Sequence, residues 1–247
     1  MAQTFGDAGD NALTTLTTHN VTRSYSIWTY RTGNGGGGFG RMFEKRTVSA
    51  AVENLANDND GIANDGYGYQ RIWSTGNALW FMPVPSANVW HNVIVTYDGG
   101  ATTNDPVMYL DGVSQSITED TAPSGTINTT TDAYVIGNRN TGTDRTWAGD
   151  LCEFAVWNRI LTAAEASSIG ARAFSPLFYP TSLVEYVPMV RAAISYKNAA
   201  PTFTGLVVAP HPRIIYPSPA QMRRFTTATA PQAAARVGWR SLLGVGI

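Results

Sequence analysis

Residues Trp90–Gly99 read W-H-N-V-I-V-T-Y-D-G, and residues Val107–Val113 read V-M-Y-L-D-G-V. Both stretches are rich in the β-branched and aromatic residues that favour strands. The second stretch contains Asp111-Gly112, and Asp-Gly favours the tight type I′ turn in which both central residues have positive φ. The two stretches therefore predict two strands and a third, over Val113–Ile117, that returns after the turn.

Similar strand signals recur along the first 160 residues. Strands are predicted over Ser24–Tyr30, Arg41–Lys45, Tyr69–Trp73, Asn77–Met82, Ala133–Ile136 and Leu151–Trp157. Between them, Gly33–Gly40 predicts a flexible loop, and the Asn-, Asp- and Gly-rich run Asn54–Gly68 predicts a long loop. After the last strand, Thr162 and Glu165 form a capping-box pattern that predicts a helix over Ala163–Ile169. Many short strands followed by one short helix are typical of an all-β sandwich.

Four segments of the chain resemble the concanavalin A-like, laminin G-like superfamily. They are Trp90–Gly99, Val107–Val113, Tyr134–Asn140 and Trp147–Glu165. Their order and spacing are similar to the strand–turn–strand–helix ending of that family, and the resemblance covers residues 1–172. It implies a two-sheet antiparallel jelly-roll sandwich with a core of aromatic strand residues. Because the family includes lectins, glycosidases and structural modules, the resemblance leaves the ligand open.

Composition narrows the class of protein further. The chain has 247 residues, of which 43% are hydrophobic and 14% charged, so a large sandwich with an extension is expected. The one cysteine, Cys152, excludes an intrachain disulfide and is expected to be a small buried residue. No secretory signal and no stretch of about 20 apolar residues is found, so we expect neither export nor a membrane span. These features are typical of a protein made in a host cytoplasm and assembled into a virion.

Charge and proline are distributed unevenly. Residues 1–165 carry 17 acidic and nine basic side chains, whereas residues 166–247 carry one acidic and eight basic side chains together with nine of the 13 prolines. We therefore predict a sandwich over 1–172 and a basic, Pro-rich C-terminal assembly arm over 173–247. Short strands are expected in the arm around Leu183–Met189, Thr202–Val208 and Arg213–Tyr216. A basic arm on an acidic body points to an acidic protein partner, and the prolines together with the lack of an RNA-binding motif argue against nucleic acid.

Two strings in the arm, Leu183–Met189 and His211–Pro217, resemble a C-terminal extension of laminin G-like proteins in tailed bacteriophages. This resemblance implies a non-enzymatic virion protein, such as a capsid decoration protein, head fibre or tail accessory. Its partners would be other virion proteins, such as the major capsid protein, or copies of itself. The predicted assembly contacts are Arg213, Tyr216, Arg223, Arg224, Trp239 and Arg240. The alternative function is a carbohydrate-binding module that adheres to host-surface glycans.

Two kinds of binding site are considered near the long loop. Tyr67, Tyr69 and Trp73 are candidate rings for stacking on a glycan, with packing in the core as the alternative. The oxygen-rich run around Asp58, Asp60 and Asp65 could bind Ca²⁺, with a solvated turn as the alternative. The spacing excludes an EF-hand because no Glu closes the loop. No other metal or cofactor is expected.

No catalytic residue is predicted. Glycoside hydrolysis requires two carboxylates about 5 to 10 Å apart. Asp150 and Glu153 are three residues apart on one predicted strand and are expected to face opposite sides. The superfamily often has an Asp-Glu pair in this strand, and here the pair reads Cys152-Glu153. The three histidines lie far apart in the sequence and no G-x-S-x-G motif occurs, so the sequence favours a protein that is not an enzyme.

Overall fold

The computed structural model describes residues 2–47, 51–58, 65–139, 144–190 and 193–221, without the side chain of Arg46. Two antiparallel sheets of eight strands each form a sandwich, which confirms the predicted all-β fold. Residues 1–216 belong to one compact unit and residues 217–247 to another. The site lies in the first unit, and of the second only residues 217–221 are described.

Sheet A contains the two stretches that decide the fold. Its spatial order is β10 (Val113–Ser114), β9 (Val107–Leu110), β8 (Trp90–Asp98), β3 (Thr22–Arg31), β13 (Gly149–Trp157), β1 (Ala2–Phe5) and β16 (Val207–Ala209), with β14 (Leu183–Val187) also paired to β13. The turn between β9 and β10 has φ values of 51° at Asp111 and 78° at Gly112. Both are positive, as the Asp-Gly pair predicts.

Sheet B packs against sheet A. Its spatial order is β11 (Thr118–Thr121), β7 (Gly76–Met82), β6 (Gly66–Trp73), β5 (Ala51–Asp58), β4 (Arg41–Arg46), β12 (Tyr134–Ile136), β2 (Asn11–Leu13) and β15 (Thr202–Thr204). The prediction of a loop over Asn54–Gly68 is wrong at both ends, because β5 extends to Asp58 and β6 begins at Gly66. Cross-strand pairing supplies the backbone hydrogen bonds of these polar residues, which their composition alone does not indicate.

The glycine-rich segment Gly33–Gly40 also differs from its prediction. It contains a 3₁₀ turn over Gly36–Gly38. The amide of Gly36 donates to the carbonyl of Thr146 at 2.9 Å, and the amide of Arg41 donates to the carbonyl of Arg145 at 2.9 Å. The predicted flexible loop therefore follows a hydrogen-bonded path against the non-strand segment that precedes β13.

The helix α1 (Ala163–Gly170) follows β13, and its capping box is present. The Thr162 hydroxyl accepts from the Glu165 amide at 3.2 Å, and the Glu165 carboxylate accepts from the Thr162 amide at 2.8 Å. The helix ends one residue later than predicted, at Gly170. A Cβ there would lie 2.1 Å from the backbone nitrogen of Gly112, so only glycine lets the helix end pack on the β9–β10 turn.

The predicted domain boundary between residues 172 and 173 falls within the two sheets, because strands from both sides of it pair with one another. β14 pairs with β13, β15 with β2 and β16 with β1, so three strands of the predicted arm lie in the sheets of the sandwich. Arg213–Tyr216, a predicted strand, forms only an isolated bridge between Ile215 and Phe174. Composition placed the division too early because strand pairing is a tertiary property.

The core lies between the two sheets and is rich in aromatic rings, as the family resemblance implied. Its buried aromatic members are Phe5, Tyr25, Trp28, Phe43, Tyr67, Tyr69, Trp73, Trp80, Tyr97, Tyr134, Trp147 and Phe154. Tyr25 and Phe43 have ring centroids 4.7 Å apart, and Trp80 and Tyr97 have centroids 5.2 Å apart. Burying each such side chain contributes roughly 1.5–3 kcal/mol to folding.

Candidate functional site

The outer face of sheet B, which points away from the core, carries a cleft of about 130 Å³. Alternation along the strands sets this face: Leu55 and Tyr69 point into the core, and their neighbours point outward. We call this feature the outer cleft. It is lined by Phe39, Arg41, Asn54, Ala56, Asp58, Gly68, Gln70 and Leu79.

An amide pair and an arginine line the outer cleft. The side-chain amide nitrogen of Asn54 donates to the amide oxygen of Gln70 at 2.6 Å. This bond leaves the Asn54 oxygen to accept from a bound molecule and the Gln70 nitrogen to donate to one. Arg41 donates through Nε to Glu44 at 3.2 Å. Burial lowers the pKa of Arg41, and the neighbouring Glu44 carboxylate opposes that shift.

The half-buried ring of Phe39 is the aromatic group of the outer cleft. The Arg145 guanidinium lies 4.4 Å from the ring centroid, a cation–π contact that helps to orient the ring. On the opposite side, Phe81 lies over β6. A Cβ at Gly68 would approach the Phe81 ring to 2.8 Å, so glycine is required for this packing.

Among the described residues that line the outer cleft, Asp58 supplies the one carboxylate. The carboxylate of Glu44 lies beside the cleft and accepts from Arg41. A ring, an amide pair and a single carboxylate suit a molecule with many hydroxyl groups. The described lining residues do not include two facing carboxylates of the kind that glycoside hydrolysis uses.

The predicted glycan-stacking residues lie elsewhere. Tyr67 and Tyr69 are fully buried and Trp73 is 5% exposed, because all three side chains lie on the core face of β6. The prediction that they stack on a ligand is wrong, and the alternative of core packing is confirmed. The intervening residues of the same strand, Gly68 and Gln70, are the ones that face the outer cleft.

The structure places the predicted calcium ligands only in part. Asp58 pairs with Gly66 across β5 and β6, so Asp58 and Asp65 lie at the same end of the hairpin. Asp60 lies outside the described residues. Within the described ranges, no three His, Cys, Asp or Glu side chains are grouped as metal ligands. Ca²⁺ binding stays a prediction.

The predicted assembly contacts are mostly beyond the described chain. Arg213 is exposed, and Tyr216 is 44% exposed. The Tyr216 hydroxyl donates to the buried Glu153 carboxylate at 2.7 Å, so it packs on its own sandwich. Four residues lie outside the described ranges: Arg223, Arg224, Trp239 and Arg240.

The sequence analysis missed a charged cluster inside the core. The buried Glu53 carboxylate accepts from Tyr25 at 2.5 Å and from Arg71 at 3.4 Å, and it also accepts from Tyr69. Burial alone would raise the pKa of Glu53, but Arg71, His19 and Tyr25 hold it well below its usual range. Alternating polarity within β5 could not reveal this cluster, because its members come from distant strands.

His19 belongs to the same cluster. Its Nδ1 accepts from the Thr130 amide at 3.2 Å, which in the neutral ring places the proton on Nε2, 3.0 Å from the Glu53 carboxylate. The Arg71 guanidinium also contacts Nε2. Burial is the main reason why the pKa of His19 is lowered to about 4.

Lys45 is also buried, as are Arg23 and Arg71. Its ammonium donates to the carbonyls of Leu16 at 3.2 Å and Thr17 at 3.3 Å and to that of Asp132. It also lies 4.5 Å from the centroid of the Tyr134 ring. Burial lowers the pKa of Lys45 to about 7. These neutral partners hold the ammonium in place without a carboxylate in direct contact among the described residues.

Each histidine faces a different carboxylate, so the histidines do not form one site. The pairs are His19 with Glu53, His91 with Asp111, and His211 with Glu153. Among the described residues, none of these histidines forms a hydrogen bond with Cys152, which is fully buried as expected. The described residues therefore show no Cys–His catalytic pair.

Glu153 lies in a β-bulge of β13 and has a φ of 57°. The expectation that Asp150 and Glu153 face opposite sides assumed regular alternation, which the bulge interrupts. The effect of the bulge is seen in Leu151 and Phe154, which are also three residues apart and yet both point into the core. Glu153 is fully buried beneath the C-terminal segment and accepts from the Tyr186 hydroxyl at 2.6 Å, so it is not open to a substrate.

Among the described residues, no helix has both the length and the apolar character needed to span a bilayer.

A family model described as the concanavalin A-like lectin/glucanases superfamily matches residues 6–167. A candidate carbohydrate-binding protein from Bacteroides ovatus superposes with a TM-score of 0.56 at 17% identity, covering 83% of this chain and 58% of that one. The CBM40 of Ruminococcus gnavus IT-sialidase gives 0.49 at 13% identity, covering 69% of this chain and 98% of that one. No curated protein sequence matches this chain. At these identities the structural likeness shows the fold, and the chain spans 58% of the length of the Bacteroides protein.

Proposed function

This chain belongs to the concanavalin A-like lectin/glucanases superfamily, and from that premise we propose that it is a non-enzymatic carbohydrate-binding module. The outer cleft is the binding site of this proposal. The observation that carries it is the combination, on one outward sheet face, of the Phe39 ring with the Asn54–Gln70 amide pair. The description of the Bacteroides ovatus protein as carbohydrate-binding agrees with this function.

A sugar unit matches the groups of the outer cleft. One face of a pyranose ring is apolar and can lie against Phe39, whose aromatic face is also apolar. The hydroxyl groups can donate to the Asn54 oxygen and accept from the Gln70 nitrogen, and the Asp58 carboxylate can accept from a further hydroxyl. The cleft measures about 130 Å³, below the roughly 300 Å³ of a drug-sized pocket, so it suits one sugar unit at the end or side of a glycan.

Glycan-array binding by the whole chain tests this proposal. We expect binding to a defined set of glycans, weakened about tenfold or more by Gln70→Ala and by Phe39→Ala. The matched control is Gln115→Ala, because the Gln115 side chain donates to the nearby Val113 carbonyl on the edge of sheet A, away from the outer cleft. Equal binding by wild type and both cleft variants would place the site elsewhere, and no glycan binding at all would contradict the function.

The non-enzymatic part of the proposal has its own test. Incubation of the chain with a glycan that it binds should release no new reducing ends over hours. Turnover that disappears in Asp58→Asn would show instead that this carboxylate acts on the substrate.

Display on a bacteriophage particle stays a sequence-based prediction. Its support is the charge contrast between residues 1–165 and 166–247, together with the two strings that resemble phage proteins. The structural comparisons favour the carbohydrate-binding alternative. A glycan-binding protein can also be carried on a particle, so the two functions do not exclude each other.

A further inference from the structure

A second pocket opens on the same outward face of sheet B, beside the outer cleft. It measures about 390 Å³ and is lined by Asp65, Phe81, Met82, Pro83, Ser116 and Thr118. We call it the side pocket. Four of these six residues are exposed, so the side pocket is open to a molecule in solution. Its volume exceeds the roughly 300 Å³ at which ligand pockets begin, whereas the outer cleft lies below that volume.

One row of paired residues crosses sheet B through both pockets. Arg41 on β4 pairs with Ala56 on β5, and Ala56 pairs with Gly68 on β6. Gly68 pairs in turn with Phe81 on β7, and Phe81 pairs with Thr118 on β11. The first three residues of the row line the outer cleft, and the last two line the side pocket. Because paired residues point to the same face of a sheet, the two pockets lie side by side on the outer face.

The Phe81 side chain forms the boundary between the two pockets. A Cβ at Gly66 would lie 3.2 Å from the Phe81 Cβ, and a Cβ at Gly68 would lie 2.8 Å from the Phe81 ring. The ring therefore fills the space that side chains on β6 would take, and only 7% of Phe81 is exposed. A ring that lies along the sheet in this way is a low step between the pockets, so an elongated molecule can extend over it from one pocket into the other.

The spacing of the strands sets the distance between the two pockets. Ala56 and Gly68 place the centre of the outer cleft on β5 and β6, and Phe81 and Thr118 place that of the side pocket on β7 and β11. Neighbouring strands are about 4.8 Å apart, so two strand spacings separate the pocket centres by about 10 Å. Alternate units of an extended sugar chain lie a similar distance apart.

We propose that the outer cleft and the side pocket are two subsites for one oligosaccharide of at least three sugar units. This inference rests on the proposed carbohydrate-binding function and extends it from a single unit to a chain. The side pocket offers groups that suit sugar hydroxyls, because the Asp65 carboxylate can accept from them and the Ser116 and Thr118 hydroxyls can both accept and donate. Phe81 and Pro83 supply the apolar surface on which the apolar face of a sugar ring can lie.

Calorimetric titration of the whole chain with D-glucose, D-galactose, D-mannose and the linear trisaccharide of each tests this inference. For a sugar that binds, we expect the trisaccharide to bind about tenfold more tightly than the monosaccharide, because a linked unit enters the side pocket without a second loss of translational freedom. Thr118→Trp should reduce this gain to about twofold, since the indole would fill the side pocket. The matched control is Val113→Trp, which should keep the full gain because Val113 is exposed on an edge strand of sheet A.

The possible results separate the two subsites from the function on which they rest. Equal affinity for a monosaccharide and its trisaccharide would overturn the two-subsite inference and leave the carbohydrate-binding function intact. A gain that survives Thr118→Trp would also overturn it, because the additional units would then bind elsewhere. Binding of none of these sugars would contradict the function itself and the inference with it. If Thr118→Trp fails to fold by circular dichroism, Ser116→Trp decides the matter, because Ser116 lines the same pocket and is exposed.

Discussion

Substitution of His19 by Gln should make the protein less sensitive to acid. The folded state holds His19 neutral between the Thr130 amide, which it accepts from, and Glu53, which it donates to. A glutamine amide has one acceptor and one donor group and can replace both bonds without an ionisable nitrogen.

The size of the effect follows from the two pKa values of His19. The unfolded chain takes up this proton near pH 6.5, and the folded chain only near pH 4. Between these values the unfolded state binds more protons, so the free energy of unfolding decreases as the pH falls. The difference is about 2 kcal/mol by pH 5 and approaches about 3 kcal/mol near pH 4. The His19 side chain is 1% exposed, so little of this is lost to solvent screening.

Urea denaturation at pH 7, 6, 5 and 4.5 measures this difference. Wild type and His19→Gln share every other ionisable group, so the gap between their curves isolates His19. We expect the free energy of unfolding of the wild type to fall by about 2 kcal/mol more than that of the variant between pH 7 and 5. Parallel curves would refute the burial of a neutral imidazole in the core.

Three further changes test other parts of the structure. Gly68→Ala should lower the free energy of unfolding by about 1–3 kcal/mol, because the new Cβ atom would lie 2.8 Å from the Phe81 ring. Gly76→Ala is the matched control in urea melts, because a Cβ atom there would have nothing within 4 Å. The wild-type free energy of unfolding should rise by about 2 kcal/mol between pH 7 and 9, because the pKa of Lys45 is about 7 in the folded state and 10.5 in the unfolded chain. Lys45→Met should abolish this rise. Tyr216→Phe removes the hydrogen bond from the half-exposed Tyr216 to the buried Glu153 carboxylate. It should lower the free energy of unfolding by about 1 kcal/mol and speed proteolysis near residue 216. Unchanged cleavage would contradict the packing of that segment.

Local signals in the sequence predicted local structure well. The Asp111-Gly112 turn and the Thr162–Glu165 capping box each depend on residues at most three apart, and both are present. The Cys152 side chain is buried, as expected of an isolated cysteine in a strand. In the turn and the capping box the interacting atoms come from neighbouring residues, so a single stretch of sequence contains the necessary information.

Strands with polar outward residues were harder to predict. In β5, the outward residues Asn54 and Asp58 are typical of loops, yet the inward residues Glu53 and Leu55 are buried. Glu53 can be buried only because Tyr25 and other residues from distant strands donate to it. The sequence alone does not show which partners lie opposite, so neither the strand nor the cluster was predicted.

The candidate site was missed for the same reason. Aromatic residues near the Asn- and Asp-rich run were natural candidates for a glycan, but the tyrosines of β6 are required to fill the core. The ring that faces the outer cleft, Phe39, comes from the glycine-rich segment that was predicted to be flexible. Which rings are left outward depends on the pairing of the strands, and that pairing cannot be read from local sequence patterns.

The position of the C-terminal strands changes how an assembly role should be tested. Deleting residues 176–247 would remove β14, β15 and β16 and would uncover the buried carboxylate of Glu153, so it tests folding rather than anchoring. Truncation after Tyr216 keeps the compact unit of residues 1–216 and removes four of the six predicted assembly residues. We expect the truncated chain to keep the thermal stability and glycan binding of the full chain. If phage particles incorporate it as well as the full chain, the removed residues are not the anchor; if incorporation alone is lost, they are.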